Sequence, residues 1–443
     1  MHKKGFVMKA YLEKEKQIPV VAEFDVVIAG GGPAGVGAAI GAAKAGAGKI
    51  LLIENLSSLG GMAGPGMMSH WVGVTGSPDV KEIQRKCANF LNTPQAEKGW
   101  IFTIHHESLK YVLQEYLLEL GVNIQYGTLA AAAIVEDGIV HGVVTESKSG
   151  REAIIAKVVI DATGDGDVAA RAGAAFEKGR QEDHACQPAT LMFRIGGVDC
   201  EHAIFPGSFE TLVNVPKGEI QALARKNLPA PAGHTLLYRT WLPGEVCVNM
   251  TNAIDVDGTN SRSVSDAIIQ CRRQIPLIVD FLREYAPGYE KCYPVTSGEL
   301  LGIRETRHFK TRYELNSEDI TEGRLFPDWI STGNAFNFDI HNVEGAGLDK
   351  HGAQKHFKSK GNYSIPLGAC IPLELNGLLL AGRCIGGSHK AHSNYRAMPI
   401  CFGIGQGAGV SAAFAAKADG DVLNLDVAAI QRELLKQGVP DHN

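Results

Sequence analysis

The sequence predicts an α/β protein whose main domain is Rossmann-like. The first observation is a short apolar run, a glycine-rich turn, an alanine-rich helix and a second apolar run, in that order, within residues 24–54. The second is a pair of later apolar runs, at 158–160 and 378–380, which are typical of buried parallel strands. The third is the length, since 443 residues are enough for one large or two to three ordinary domains.

The composition excludes several classes of protein. A net charge of −5 without a long basic run predicts no nucleic-acid partner. The nine cysteines are odd in number and form no CxxC pair, which indicates reduced thiols and not a disulfide framework. The segment 1–19 is charged and lacks the apolar core of a signal peptide, and no window approaches 18 uninterrupted apolar residues. We therefore expect a cytoplasmic protein without a membrane segment.

The first strand, FDVVIA at 24–29, leads into the turn GGGPAG. In the pattern G-x-G-x-x-G, Gly30 allows the tight turn and Gly32 lets the backbone approach a pyrophosphate. Gly35 allows the helix to pack closely on the strand, and the helix N-terminus offers free amides to phosphates. The residues of this turn that we expect to contact a dinucleotide are Gly30, Gly32, Pro33, Ala34 and Gly35.

The predicted helix of residues 36–44 ends before Gly46, and the second strand, KILLI at 49–53, ends at Glu54. Glu54 follows Gly35 by 19 residues, which is the spacing of the acid that binds an adenosine ribose in this motif. Strand, turn, helix, strand and acid are therefore all present in the required order.

Two further motifs distinguish FAD from NAD. The glycine pair Gly60 and Gly61, soon after Glu54, resembles a glycine pair of FAD-binding flavoproteins. The run VVIDATG at 158–164, extended by DGD, resembles their strand-plus-ATG signature. In such flavoproteins a turn that corresponds to residues 129–131 covers the adenine. The segment between these motifs predicts a helix over 108–120 and strands over 122–126, 129–135, 139–146 and 153–160.

The chain resembles the FAD-dependent oxidoreductases, in a mostly uncharacterised bacterial branch related to the fumarate reductase and thiazole-synthase flavoproteins. The landmarks are PVVAEFDVVIAGGGPAG, ATGDGDVAARAG, LLGIRETR, FDIH, YSIP, LLLAGRCI and YRAMPICFGIGQGAG. The resemblance implies an enzyme with a Rossmann-like FAD-binding domain of the glutathione-reductase type. This domain would comprise residues 21–190 and 365–443, with an α+β substrate domain inserted at 191–364.

Motifs and resemblance together predict which residues contact FAD. Beyond the first turn, the predicted contacts are Glu54, Asn55, Gly60, Gly61, Met62, Ala63, Ala130, Ala162, Thr163, Gly164, Asp167, Gly382, Arg383, Gly405, Gly407 and Ala408. Arg383 stands where many FAD enzymes have an aspartate after the last strand. We expect its forked donors to bind a diphosphate oxygen, with an ion pair inside the domain as the alternative.

The glycine-rich stretch 403–409 precedes an apolar helix that we predict to begin at Val410. The resemblance implies that the N-terminus of this helix faces the pyrimidine edge of the flavin, where its dipole stabilises negative charge. The stretch is preceded by no strand and followed by no ribose acid, so it does not predict a second nucleotide-binding domain.

A flavin oxidoreductase that transfers a hydride also needs a group that handles a proton and an anchor for the substrate. Polar candidates occur at 68–71, at 304–308 with 339–342, and at 389–396. We predict that His341 or His389 handles the proton and that Arg304 and Arg396 orient a small carboxylate or sugar-like alcohol. Ion pairs for the arginines and a solvated turn at 390–394 are the alternatives. No carboxylate or cysteine near His389 and His392 completes a metal site, so no metal is predicted.

Two other functions stay open at this stage. One is reduction of an activated C=C bond, in which an arginine donates the proton, as the fumarate reductase resemblance implies. The other is a protein that holds FAD as a structural or sensing ligand. The electron acceptor, a homo-oligomer and a covalent flavin link through His70 are also left open by the sequence.

Overall fold

The main sheet of the protein has seven strands and contains the glycine-rich turn at its carboxyl edge. The computed structural model describes Glu13, Glu15, residues 17–92 and residues 103–441. Most of the charged N-terminal segment, on which the expectation of a missing signal peptide rests, lies outside these residues. The strands of the main sheet are β1 (Val20–Ala29), β2 (Ile50–Ile53), β3 (Asn123–Gln125), β4 (Leu129–Glu136), β5 (Ile139–Ser147), β6 (Gly150–Asp161) and β17 (Leu378–Leu380).

Strands β3, β2, β1, β6 and β17 are parallel neighbours in that order. β4 and β5 form an antiparallel hairpin that pairs with the first half of β6. In the second half of β6, Val158 pairs with Val26 of β1, and Ile160 pairs with Leu379 of β17. The paired residues are buried, as expected of parallel strands covered on both faces. The predicted Rossmann-like α/β fold is confirmed.

Two helices pack against each other with close backbone contact, α1 (Pro33–Lys44) and α9 (Met398–Lys417). An ideal Cβ atom on Gly405 would lie 1.9 Å from the carbonyl oxygen of Ala34, and one on Gly409 would lie 2.0 Å from that of Ala38. Only glycine fits at these positions, because any side chain would separate the two backbones.

The predicted start of the last core helix at Val410 is wrong, because α9 begins at Met398 and contains the whole glycine-rich stretch. A glycine costs roughly 0.5–1 kcal/mol in a helix interior, and close packing offsets that cost here. Gly405, Gly407 and Ala408 are therefore buried in the helix interior and line neither of the two cavities described below. Gly405 and Gly407 have a packing role, and contact of the three residues with the cofactor stays a prediction.

Helix α9 has the length and apolar composition of a membrane span. Of its most apolar 18-residue window, 89% is buried inside the fold. A helix in the core of a folded protein can have the same length and composition. The close contact between α9 and α1 is a contact within such a core.

Other helices complete the fold around these elements. The helix predicted over residues 108–120 begins at His106 and not at Ser108, because His105 is its N-cap residue. The remaining helices are α2 (Pro78–Leu91), α3 (His106–Glu119), α4 (Asp167–Arg171), α5 (Ile220–Asn227), α6 (Ser261–Tyr285), α7 (Ser317–Thr321), α8 (His389–Tyr395) and α10 (Val427–Lys436), with a 3₁₀ turn at Leu367–Cys370.

A second, antiparallel sheet lies within the predicted substrate domain. Its strands are ordered β11 (Leu237–Arg239), β12 (Val246–Val248), β8 (Phe193–Gly196) and β13 (Tyr293–Ser297). With α5 and α6 this sheet forms its own apolar core, in which Phe193, Ile278 and Leu282 are buried. One strand of this sheet, β11, also borders the functional site, through Tyr238.

Three short antiparallel strand pairs lie outside the two larger sheets. They are β7 (Phe176–Lys178) with β14 (Arg307–Phe309), β9 (Asn214–Val215) with β10 (Gly218–Glu219), and β15 (Trp329–Asn334) with β16 (Tyr363–Pro366). Apolar side chains from Phe309 to Ile365 pack in the core of the main sheet. The predicted domain boundaries stay a prediction, and this packing favours assigning residues after Phe309 to the main domain.

Candidate active site

A cleft of about 370 Å³ lies at the carboxyl edge of the main sheet. It forms there because β1, β6 and β17 are parallel and end side by side. Most of the residues predicted to contact a dinucleotide line it: Gly30, Gly32, Pro33, Ala34, Glu54, Asn55, Gly61, Met62, Ala130, Ala162, Thr163, Gly164, Asp167, Gly382 and Arg383.

Three other predicted contacts shape this cleft without lining it. An ideal Cβ on Gly35 would lie 1.8 Å from the carbonyl oxygen of Gly30, so Gly35 serves the close packing of helix and turn. The amide of Gly60 donates to the carbonyl of Gly31 at 2.8 Å, and Ala63 is buried. Gly35, Gly60 and Ala63 thus support the cleft, and their direct contact with the cofactor stays a prediction.

The carboxylate of Glu54 is held in place by backbone amides. Its Oε2 accepts from Gly31 at 2.7 Å and its Oε1 accepts from Leu56 at 2.8 Å. Burial raises the pKa of Glu54, although these amide hydrogen bonds oppose that shift. The carboxylate lines the cleft with its acceptor oxygens oriented, as binding a pair of ribose hydroxyls requires.

The N-terminus of α1 opens onto the same cleft. Its N-cap residue, Gly32, makes no side-chain cap, so the first amides of the helix are left for a ligand. An ideal Cβ on Gly32 would meet only Gly61, at 4.0 Å, so the backbone is exposed to close approach. Uncapped amides for phosphate and a fixed carboxylate for ribose are a donor and acceptor set that fits a dinucleotide.

Arg383 is held at the edge of the cleft by an ion pair. Its Nη2 donates to Oδ1 of Asp165 at 2.6 Å, and Thr306 Oγ1 donates to the same oxygen at 2.6 Å. Burial would lower the pKa of Arg383, but the carboxylate of Asp165 raises it. Asp167 is paired similarly with Arg307 at 2.9 Å. The ion pair considered from the sequence is present, and contact of Arg383 with a diphosphate stays a prediction.

A second cavity of about 250 Å³ adjoins the cleft. Its polar lining includes Tyr238 of β11, Asn249 directly after β12, and residues of the loops around 304 and 339. Residues that line both spaces are Met62, Ile303, Arg383, Arg396 and Met398. A ligand in the second cavity would therefore border a ligand in the cleft.

Arg304 and Arg396 both line the second cavity, as the sequence analysis expected of substrate anchors. Arg304 Nη1 donates to the carbonyl of Pro188 at 2.6 Å and to Thr190 Oγ1 at 2.9 Å. Arg396 Nη2 donates to the backbone carbonyl of Asp339 at 2.6 Å and to its Oδ2 at 3.0 Å. Each guanidinium is thus fixed from one side.

His341 also lines the second cavity, with Nε2 3.4 Å from Asp339 Oδ2. Burial and the charge of Arg304 lower the pKa of His341 to about 4, against the opposing effect of Asp339. Burial opposes ionisation of Asp339, but His341 and the two arginines hold the pKa of that carboxyl well below its usual range. A neutral imidazole therefore lies between an anion and two cations.

His389 does not line the second cavity, and its role as a catalytic residue stays a prediction. Its Nδ1 lies 2.6 Å from Oε1 of the buried Glu305, and Nε2 of His308 lies 2.8 Å from the same oxygen. Although burial opposes it, these two histidines hold the pKa of Glu305 well below its usual range. His392 is buried beside them and its ring meets that of His308 edge-on. Glu305 lies 84 residues before His389, so the sequence around the histidines gave no sign of this carboxylate.

Three polar residues of the second cavity were not predicted as site residues. His70, considered only among several candidates, stacks on Tyr238 with ring centroids 4.5 Å apart. Burial lowers the pKa of His70 to about 4. Asn249 Nδ2 donates to the hydroxyl of Tyr238 at 3.1 Å. Tyr238 and Asn249 come from the strand region of the second sheet, where the alternation of apolar residues gives no signal for a site.

Several polar atoms of the second cavity are buried without a hydrogen-bond partner among the described residues. They are His70 Nδ1, Asn249 Oδ1, Asn337 Oδ1 and Arg396 Nε. Buried polar groups are normally hydrogen-bonded, so a group of unpaired ones around one space indicates a binding site for a polar molecule.

A protein-family model described as FAD dependent oxidoreductase matches residues 25–434. The thiamine thiazole synthases of Methanococcus aeolicus and Methanococcus vannielii are each 33% identical over 150 residues. These alignments cover 32% of this chain and 55% and 56% of the two synthases. The chain thus spans about half the length of the curated relatives it matches.

Two solved structures match this chain over most of its length. A geranylgeranyl bacteriochlorophyll reductase-like protein from Thermoplasma acidophilum is 16% identical with a TM-score of 0.44, over 94% of this chain and 82% of that one. The p-nitrophenol 4-monooxygenase of Pseudomonas putida is 13% identical with a TM-score of 0.44, over 94% and 84%. Because the family match spans most of the chain and includes the residues of the cleft, the chain belongs to the FAD dependent oxidoreductase family, with FAD as its cofactor.

Proposed function

We propose that this enzyme transfers a hydride between a small polar metabolite, bound in the second cavity, and its FAD. The observation that carries the proposal is that the cavity holding Arg304, Arg396 and His341 shares its lining with the cleft. Bound FAD supplies the hydride acceptor or donor. The protein has to hold the metabolite, exclude water and manage the proton.

Arg304 and Arg396 would hold the metabolite. Both guanidinium groups are fixed by backbone carbonyl oxygens, so little side-chain entropy is lost when a ligand binds. Met62 and Met398, which line both spaces, would exclude water from the boundary between them.

His341 would move the proton. Since its pKa is lowered to about 4, the ring is neutral at pH 7 and can accept the proton that a substrate hydroxyl releases as its carbon is oxidised. A proton on Nε2, facing Asp339, leaves Nδ1 as the accepting nitrogen. The carboxylate of Asp339 would then stabilise the imidazolium.

The test is anaerobic mixing of the FAD-loaded enzyme with a metabolite library, with bleaching of the flavin absorbance as the signal. For a metabolite that bleaches the flavin, His341→Gln should slow the reaction by about 10²–10⁴. Arg304→Gln and Arg396→Gln should raise the metabolite concentration required. The exposed His351→Gln and Arg273→Gln are matched controls and should behave as wild type. Unchanged bleaching in all three cavity variants would contradict the proposal.

Reduction of an activated C=C bond is a second candidate, and one observation favours it. Burial and the neighbouring Arg396 lower the pKa of Arg304 to about 10, which makes this guanidinium a better proton donor than an ordinary arginine. Reduced enzyme that is reoxidised by an enoate and not by a ketone would support this function over the first. A flavin that no metabolite reduces or reoxidises would support a structural or sensing role for FAD.

A further inference from the structure

We infer that the substrate is a monoanionic carboxylate with a flat apolar body, and not a neutral alcohol or a dicarboxylate. The inference rests on the proposed function for the location of the substrate. It depends on the charges of the second cavity, on the donors these charges leave unpaired, and on the surfaces around them.

The fixed charges that line the second cavity do not cancel. Arg383 is neutralised by Asp165, with 2.6 Å between Nη2 and Oδ1. Arg396 is neutralised by Asp339, with 3.0 Å between Nη2 and Oδ2. Among the described residues of the lining, Arg304 remains as a cation without a carboxylate partner, because it donates to the carbonyl of Pro188 and a hydroxyl. With Asp165 included, which lines the cleft and not the second cavity, these charges sum to one positive unit.

The histidines of the lining add no charge at neutral pH. Burial lowers the pKa of His70 and of His341 to about 4. A half-buried cation without a counter-ion is unfavourable, and a ligand that brings a single negative charge removes that cost. A dicarboxylate would leave a negative charge in excess, and a neutral alcohol would leave the positive one.

The unpaired donors match one carboxylate. Arg304 bonds through Nη1 alone among the described residues, so Nε and Nη2 remain as a two-pronged donor edge. Arg396 keeps Nε buried without a partner. A planar carboxylate is the group that accepts parallel hydrogen bonds from a guanidinium edge.

Part of the remaining lining is apolar. The stacked rings of His70 and Tyr238, 28° from parallel, form one wall. Other apolar side chains that line the cavity are Met62, Met68, Met192, Leu236 and Phe336. Thioether and aromatic surfaces favour an apolar, planar body beside the carboxylate.

The test uses isothermal titration calorimetry of the FAD-loaded protein at neutral pH with four small probes. Benzoate has the inferred charge and body, benzamide lacks the charge, acetate lacks the body, and phthalate carries a second carboxylate. Benzoate should bind roughly tenfold or more tightly than each of the others, because a charge-assisted hydrogen bond and a buried ring are each worth at least that factor. Equal affinity for benzoate and benzamide, or for benzoate and phthalate, would overturn the inference.

Two variants test the charge count directly. Arg304→Gln should weaken benzoate about tenfold and leave benzamide unchanged, so the preference disappears. Asp339→Asn adds one unit of positive charge and should shift the ratio of phthalate to benzoate affinity about tenfold toward phthalate. The exposed Arg273→Gln should keep the wild-type ratios. If Asp339→Asn does not fold, Arg304→Gln decides, and a retained benzoate preference in that variant refutes the inference.

The calorimetry is independent of the hydride-transfer test. If the protein prefers benzoate but no metabolite bleaches its flavin, the inferred anion site is supported and the proposed function is rejected. If neutral alcohols bleach the flavin and the protein does not bind benzoate, the proposed hydride transfer is supported and the inferred substrate class is rejected.

Discussion

Two imidazole rings in the second cavity, His70 and His341, show how burial sets the state of a single residue. His341 lies 3.4 Å from a carboxylate, and His70 stacks on the ring of Tyr238. Burial lowers the pKa of each to about 4, because the charged ring is poorly solvated there. A neutral His341 would be able to accept a proton in the proposed reaction, and the neutral rings leave the cavity charge to the arginines and Asp339.

This burial predicts a loss of stability in mild acid. The folded pKa of His70 is about 4 and the ordinary value is 6.5, so the unfolded chain binds more protons between these values. Stability therefore falls as the pH falls through that window, by roughly 2 kcal/mol at pH 5 for this residue. Urea denaturation at pH 7 and pH 5 should show a smaller acid loss in His70→Phe than in wild type. The exposed His351→Gln should retain the wild-type loss, and an equal loss in His70→Phe would contradict the prediction.

At the scale of elements, the contact between α1 and α9 positions the N-terminus of α1 at the cleft. Ala34 and Ala38 of α1 present their carbonyl oxygens to Gly405 and Gly409 of α9.

A second element, the segment 304–308, alternates between two environments. Arg304 lines the second cavity, and Glu305 binds His308 and His389 on the other side. His308 and His389, through Glu305, thus fix the position of the segment that carries Arg304.

The helix contact predicts a large effect of one methyl group. In Gly409→Ala the new Cβ would lie about 2.0 Å from the carbonyl oxygen of Ala38, so the helices must separate. The free energy of unfolding should fall by about 1–3 kcal/mol, measured by chemical denaturation. Gly361→Ala is the matched control, because nothing lies within 4 Å of its Cβ position and its backbone is not in the left-handed region. Equal stability of the two variants would show that the close approach is not needed.

At the scale of the whole molecule, the cleft joins parts of the chain that are far apart in sequence. Its lining comes from residues 30–34, 53–62, 128–130, 162–167 and 300–303, and from 381–401. A ligand that contacts all of these should stabilise the fold as one unit, since it binds the folded state alone.

FAD should therefore raise the stability of the whole protein, and more than FMN does. At a concentration a hundred times its dissociation constant, FAD should add about 2.7 kcal/mol. FMN lacks the adenosine that Glu54 is positioned to bind, so Glu54→Gln should reduce the advantage of FAD over FMN. The measurement is thermal unfolding of the apoprotein with each flavin, and the exposed Glu136→Gln is the control. An undiminished FAD advantage in Glu54→Gln would remove the role of this carboxylate.

Residue types and their spacing were enough to predict the Rossmann-like fold, the cofactor and most of the residues that line the cleft. Gly30, Gly32 and Glu54 are close in the chain and have local requirements, namely a tight turn, an open backbone and an acid at a strand end. Such requirements are visible in residue type and spacing. Arg304, Arg396 and His341 were also predicted, because few residue types can bind an anion or move a proton near neutral pH.

Which polar residues line the second cavity together could be seen only in the tertiary structure. His389 pairs with Glu305 and does not line the second cavity. Tyr238 and Asn249 line this cavity from the strand region of the second sheet, and the glycine-rich stretch lies within α9. Each outcome depends on a contact between residues distant in the chain, which spacing and periodicity do not encode. The charge balance of the cavity is of the same kind, because ion pairs with Asp165 and Asp339 leave Arg304 as the unpaired cation among the described lining residues.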